Sequence, residues 1–172
     1  DRPNGKHGLK MYKSRDLKTW EGPYMVYESV DSEWADASHG IWAPEMHEYK
    51  GKYYLFATFT NEKSSLPQQV PSRPFLHRRA TVLLVSDTPE GPFVPLTGKP
   101  HTPADWMSLD GTLYVENGKP YMVFCHEWIQ MTDGTMELLP LSEDLYMPEG
   151  TPVTMFRAKD ASWVQSLDMY KG

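Results

Sequence analysis

The chain has 172 residues, of which 40% are hydrophobic, and a formal net charge of −6 at neutral pH. This charge argues against a nucleic-acid partner, whose phosphates would need a basic face, and it leaves a neutral or basic ligand open. The single cysteine, Cys125, excludes a disulfide framework and a cysteine-based zinc site, and its apolar surroundings favour inert packing. No run of 18 apolar residues is present that could span a membrane.

The first predicted element is a strand pair over residues 8–28. Its apolar start is followed by residues 14–24, which supply Ser, Asp, Gly and Pro as turn formers. Residues 86–93 resemble this turn, and a shorter version occurs at 142–145. Because each of the three follows an apolar run, we expect each to connect the third and fourth strands of a sheet.

Two longer segments, residues 40–58 and 108–125, each predict a β-hairpin. Their turns are Lys50-Gly51 and Asn117-Gly118. Glycine accepts a positive φ, and an Asn-Gly pair suits the type I′ turn that matches the twist of paired strands. Equal segments of this kind are typical of a propeller, in which each blade is one four-stranded sheet.

The repeat predicts an all-β chain that forms part of a β-propeller, with residues 1–172 as a single partial domain. The outer half of one blade covers 8–28, a complete blade covers 41–95, and a second complete blade covers 108–156. Residues 157–172 form a connector into a further blade. Since a propeller needs at least four blades to close, we expect this chain to be a fragment of a larger ring.

Blade geometry predicts which residues share one end of the propeller, called the mouth below. The inner strands begin near Trp42 and Leu109, and the second strands return antiparallel to the same end. The Gly-Pro turns lie at the opposite end. Acidic and aromatic residues should gather at the mouth: Trp34, Asp36, His39, Trp42, Glu45, Trp106, Asp110, His126, Glu127 and Trp128.

An acidic and aromatic mouth suits the hydrolysis of glycosidic bonds. One carboxyl protonates the leaving oxygen and another activates water, and in an inverting enzyme the two stand roughly 6.5 to 9.5 Å apart. Such a pair comes naturally from different blades. Aromatic faces suit sugar rings, although aromatic residues also fill the interior of blades, so each Trp has both roles open.

Four segments, taken in chain order, resemble glycoside hydrolase family 43. They are the turn at 14–20, Trp42-Ala-Pro-Glu45 with the strand after it, the turn at 86–93, and residues 108–114. The resemblance covers residues 8–156. It implies a five-bladed propeller and the inverting hydrolysis of arabinose- or xylose-containing glycans, with three acids on the inner strands of different blades.

The resemblance assigns one catalytic residue. Asp110, at the start of an inner strand, matches the family's middle acid, which tunes the pKa of the general acid and orients it. A strand-capping or turn role is the alternative. The family's general base and general acid have no match within this chain. Asp168 repeats the Ser-Leu-Asp pattern of residues 108–110, but the family pattern calls for Glu there.

Several mouth residues are candidates for substrate binding, with core packing or a structural hydrogen bond as the alternative. These are Trp42, Glu45, His39, Trp106, His126 and Trp128. His126 and Glu127 are neighbours on a predicted strand and point to opposite faces, so no metal site is predicted. The family can hold calcium in its central channel, but no ligand for it is assigned in this segment, and no cofactor is required.

Residues 61–80 predict the longest loop, which should lie over the mouth. Its basic residues either contact a branch of the substrate or stay solvated: Arg73, His77, Arg78 and Arg79. Two other functions stay open. A glycan-binding propeller would lack the base and the acid, and a glycoside phosphorylase would need a phosphate site built from Arg or His. The substrate class favours a secreted or periplasmic location over a cytoplasmic one; oligomeric state is not predicted.

Overall fold

The structure is a computed structural model that describes residues 7–68, 71, 73–131 and 133–160. The strands in these ranges are β1 (Gly8–Lys13), β2 (Glu21–Glu28), β3 (Trp42–Tyr49), β4 (Lys52–Ser65), β5 (His77–Ser86), β6 (Val94–Pro95), β7 (Ser108–Glu116), β8 (Lys119–His126), β9 (Thr135–Pro140) and β10 (Val153–Arg157). One 3-10 turn follows, at Ala158–Asp160. The part of the chain described here holds no helix with the length and apolar character to cross a membrane.

The strands form three antiparallel sheets in chain order. β1 and β2 form the first blade, β3-β4-β5-β6 the second, and β7-β8-β9-β10 the third. Each strand therefore pairs with its sequence neighbour, as in the blades of a propeller. The prediction of an all-β chain that supplies about two full blades and part of a third is confirmed. The predicted position of Asp168 lies outside the described residues, as does most of the predicted connector.

The two hairpin turns have the predicted conformation. Lys50 and Gly51 have φ values of 50° and 76°, and Asn117 and Gly118 have φ values of 52° and 79°. Positive φ at both central residues defines a type I′ turn. Each turn connects an inner strand to the second strand of its blade, at the end away from the mouth.

The second blade is covered on both faces because residues of β4 alternate between them. Leu55, Ala57 and Phe59 face the first blade, whereas Tyr54 and Phe56 face the third. Phe56 is fully buried, and burying a side chain of this size stabilises a fold by about 1.5–3 kcal/mol. The interface between the second and third blades is completed by Leu83, Met122, Phe124, Leu139, Leu141 and Leu145.

The prediction of a loop over residues 61–80 was wrong at both ends. β4 continues to Ser65, β5 begins at His77, and these two residues are paired, as are Asn61 and Arg78. A register shift separates the two pairs. The end of β4 is polar and mostly exposed, so it resembles a loop in sequence. Pairing with β5 keeps it extended, because β-structure depends more on the partner strand than on intrinsic propensity.

Candidate active site

Both inner strands bulge at the end that forms the mouth. The register shifts within residues 42–45 of β3 and within residues 109–112 of β7. Ala43 in the first bulge has a φ of 43°, and Asp110 in the second has a φ of 54°. Non-glycine residues at positive φ carry strain of the kind that collects at functional sites. Asp110 thus occupies a conformation that the strand itself does not require.

Two buried threonines of the second blade hold the bulge of β7. The backbone N–H of Asp110 donates to Oγ1 of Thr58 at 2.9 Å, and that of Gly111 donates to Oγ1 of Thr81 at 2.9 Å. A Cβ on Gly111 would lie 2.8 Å from the Thr81 side chain, so only glycine fits this close approach. The backbone of Asp110 is fixed, while the residue itself stays exposed at the mouth.

These threonines belong to a polar stripe that begins where the apolar core ends. On β4, Phe56 is followed on the same face by Thr58 and Thr60, and on the paired β5 the stripe continues with Thr81 and Arg79. All four polar residues are buried. Buried polar groups need hydrogen-bond partners. The partners of this stripe in the third blade are Asp110, Gly111 and Glu127, whose positions it fixes.

Arg79 is the centre of the resulting network. Its Nη1 donates to Oε1 and Oε2 of Glu127 at 2.6 and 2.8 Å, and its Nε donates to Oγ1 of Thr60 at 3.1 Å. Its Nη2 donates to Nε2 of His77 at 3.1 Å, and Nδ1 of His77 donates to the carbonyl of Phe75 at 3.3 Å. Glu127 follows β8, so the ion pair joins two blades. The structure thus corrects the placement of His77, Arg78 and Arg79 in a loop, since all three lie on β5.

Burial and, after it, the charges of this network shift the pKa values of two members. Burial raises the pKa of Glu127, Arg79 opposes that rise, and the negative charge of Asp110 adds to it. Burial and the neighbouring Arg79 both lower the pKa of His77. A neutral His77 with its proton on Nδ1 is the form that can accept from Arg79. Asp110 is therefore electrostatically coupled to Glu127.

Trp42 lies over this network at the mouth. The guanidinium carbon of Arg79 lies 4.5 Å from the centre of the Trp42 ring. The centres of the His39 and Trp42 rings lie 5.8 Å apart, and the two ring planes are tilted by 46°. Trp42 remains 40% exposed. The structure thus brings together two predicted binding residues, Trp42 and His39, on a support that the sequence did not predict.

The other predicted binding residues have different surroundings. Glu45 is exposed, and its Oε1 lies 3.3 Å from Nε2 of His47. The rings of Trp106 and His126 stack at 3.9 Å and 11°, and Nε2 of His126 contacts Oε1 of Gln130 at 2.9 Å. Trp128 is exposed. Substrate binding by these residues stays a prediction.

Sequence reasoning missed the three threonines that build the site from below, Thr58, Thr60 and Thr81, and it missed the pairing of Arg79 with Glu127. A signal was present in the spacing. Thr58 and Thr60 are two residues apart on a strand, as are Arg79 and Thr81, and residues two apart share one face of a strand. Two polar pairs on strands with an otherwise apolar face indicate a buried polar contact. Among the described residues, no group of three or more His, Cys, Asp or Glu could hold a metal ion.

Comparison with known proteins shows the family. The sequence profile of "Glycosyl hydrolases family 43" matches residues 3–172, and the chain belongs to this family. No curated protein sequence matches the chain.

Solved structures share the blades. An endo-arabinase from Bacteroides thetaiotaomicron is 39% identical with a TM-score of 0.75, and the match covers 88% of this chain and 49% of that one. An α-L-arabinofuranosidase from Lactobacillus brevis (18% identity, TM-score 0.63) matches over 80% of this chain and 42% of its own. An endo-1,4-β-xylanase from B. thetaiotaomicron (23% identity, TM-score 0.62) matches over 92% and 47%. The last two show the shared fold alone. This chain spans about half the length of these structures.

Proposed function

We propose that the protein hydrolyses arabinose- or xylose-containing glycans with inversion, and that Asp110 is the middle acid of its mechanism. One observation carries the proposal: in a member of this family, the matching aspartate lies exposed at the mouth in a strained bulge that two buried threonines hold in place. A capping residue would not need such anchoring from a neighbouring blade. The proposed role needs a carboxylate whose position is fixed.

The chemistry follows from the charge of Asp110. A carboxylate close to a second carboxyl raises the pKa of that group, which keeps it protonated and able to donate to the leaving oxygen. Asp110 also orients the donor. Two further carboxyls, a general base and a general acid, are expected on the inner strands of other blades.

Arabinose-containing glycans are the first substrates to test, because the solved structure that is 39% identical to this chain is an endo-arabinase. A xylose-containing glycan is the second. Linear arabinan, p-nitrophenyl α-L-arabinofuranoside and p-nitrophenyl β-D-xyloside separate these substrates and also distinguish internal from terminal cleavage.

The test compares Asp110→Asn with Asp87→Asn. Asp110→Asn should lower kcat by about 10²- to 10⁴-fold, the range typical of groups that assist proton transfer. Asp87 pairs with Lys52 on an exposed turn, so its variant serves as the control and should keep its turnover. Near-normal turnover by a folded Asp110→Asn variant would remove Asp110 from the mechanism. Proton NMR of the first product shows which anomer forms, and retention would contradict an inverting enzyme.

The phosphorylase alternative needs a basic site that is open to phosphate. Arg79 and His77 are the basic residues of the network beneath Trp42, but Arg79 is buried and already contacts Thr60, His77 and Glu127. This arrangement favours hydrolysis. Turnover that requires added inorganic phosphate would reverse that conclusion, and tight glycan binding without turnover would indicate a binding module.

A further inference from the structure

The ion pair between Arg79 and Glu127 calls for an explanation beyond stability. Each side chain is only 6% exposed. Removing two charges from water costs several kcal/mol per ion, and close pairing offsets this cost without leaving a large net gain. Apolar residues of similar size would stabilise the two blades at least as well. A functional role is therefore a natural reason for placing this pair at the mouth.

The pair fixes the guanidinium of Arg79 in one orientation. All three nitrogens of the guanidinium donate hydrogen bonds: Nη1 to Glu127, Nε to Thr60 and Nη2 to His77. The flat group then lies 4.5 Å from the centre of the Trp42 ring. A guanidinium held by three partners cannot rotate away, so it holds one side of Trp42 while the residue stays 40% exposed.

Trp42 and Asp110 are brought together by one residue. Thr58 is the strand partner of Trp42, and its hydroxyl accepts the backbone N–H of Asp110. An exposed indole ring presents a flat apolar surface that suits the C–H face of a sugar. A ring that is already ordered avoids the loss of about 0.5–1.5 kcal/mol that immobilising a side chain on binding would cost.

We propose that Arg79 and Glu127 are positioning residues, which hold Trp42 as a rigid stacking platform for a pentose ring of the glycan beside Asp110. The identity of this ligand rests on the proposed function. Neither residue touches the substrate, since both are buried; they act through Trp42. The platform sets how firmly a sugar is held rather than how fast its bond is cut.

A matched control lies one residue away. Arg78 makes the same kind of contact with Trp34, 4.7 Å from the ring centre, and pairs with Glu33 at 2.7 Å. Trp34 is only 5% exposed, so it offers no surface to a ligand. Arg78→Lys therefore repeats the chemical change of Arg79→Lys at a tryptophan that cannot form a platform.

The experiment measures arabinopentaose and xylopentaose binding by calorimetry in an Asp110→Asn parent, which should not consume the ligand, and measures kcat and KM for the same changes in the active protein. Arg79→Lys keeps the charge beside Glu127 but loses the flat fork of donors. It should weaken Kd about tenfold, or 1.4 kcal/mol, and raise KM similarly, while kcat changes much less. Arg78→Lys should leave all three constants unchanged. Glu127→Gln is the second variant, in case Arg79→Lys does not fold, and should weaken binding in the same way.

Coupling to Trp42 distinguishes positioning from a general structural effect. In a Trp42→Ala background, Arg79→Lys should cause no further loss of binding, since the platform is already absent. Full additivity of the two losses would overturn the inference. So would an unchanged Kd in folded Arg79→Lys and Glu127→Gln, or failure of the Asp110→Asn parent to bind either pentaose. Binding that follows the expected pattern without any turnover would overturn the proposed hydrolysis and leave the platform standing.

Discussion

At the scale of single residues, this chain buries several titratable groups away from the mouth. His101 is the clearest case. Its Nε2 donates to the carbonyl of Leu145 at 2.7 Å, and its Nδ1 has no hydrogen-bond partner among the described residues. Burial lowers the pKa of His101, so the ring is neutral in the fold. The residue connects the segment before β7 with the turn between β9 and β10.

This burial makes stability depend on pH. Above the unfolded-state pKa of about 6.5, His101 is neutral in both states and its contact is fully retained. As pH falls through that value, the unfolded chain binds a proton before the folded chain does, so stability falls. We expect the melting temperature to drop between pH 7.5 and pH 5.5. His101→Gln, which can still donate to Leu145, should reduce the slope.

Calorimetric or circular-dichroism melts over this pH range test the prediction. Part of the slope should remain in His101→Gln, because burial also lowers the pKa values of His77 and His126. An identical slope in His101→Gln and the wild-type protein would show that His101 does not contribute.

At the scale of elements, the bulge of β7 is the feature on which the site depends. Thr58 and Thr81 hold it from the second blade, and Gly111 allows the approach. The strand cannot move without moving Asp110. Geometry at the mouth is therefore set by packing between two blades rather than by β7 alone.

Gly111→Ala tests this dependence. The added methyl group would overlap Thr81, and such overpacking costs about 1–3 kcal/mol. We expect a lower free energy of unfolding and a loss of turnover, because the bulge that carries Asp110 must shift. Gly98→Ala is the control, since a Cβ at Gly98 meets no atom within 4 Å. Urea unfolding and initial rates measure both effects; a Gly111→Ala variant as stable and active as Gly98→Ala would contradict the account.

Elements also show what sequence could and could not predict. The hairpins were predictable because Lys50-Gly51 and Asn117-Gly118 specify their turns locally. The pairing of Arg79 with Glu127 was not predictable, because the two residues lie 48 positions apart in the sequence. A polar pair inside a fold leaves no periodic pattern in the sequence. The position of Asp110 followed from its place at the start of a repeated strand, but its bulge and its threonine anchors follow from tertiary packing.

At the scale of the whole molecule, the blades differ in how well they are covered. Both faces of the second blade are packed, whereas large apolar residues are exposed on the first and third. On the first blade these are Tyr12, Tyr24 and Met25, and on β10 they are Val153, Met155 and Phe156. Apolar patches of this kind mark surfaces that bind other protein.

The 172-residue chain prepared alone should therefore self-associate. We expect its weight-average mass to rise with concentration in sedimentation velocity, and an apolar dye to bind to it. Met155→Lys with Phe156→Ser should reduce both effects, because a charge and a hydroxyl interrupt the apolar surface of β10. Glu143→Gln, on an exposed turn, is the control for a change in net charge. A chain that stays monomeric at every concentration would contradict this expectation.

The two type I′ turns have a practical consequence. Asp110 is the third residue of β7 (Ser108–Glu116), so the Asn117-Gly118 turn lies about 23 Å from Asp110 along the strand. A Cβ at Gly118 or at Gly51 would meet no atom within 4 Å. Exposed loop tips of this kind tolerate added sequence. An affinity tag inserted at Asn117-Gly118 would tether the protein to a resin by the end opposite the mouth. The mouth would then face the surrounding solution and stay accessible even to a polymer that cannot enter the pores of the resin.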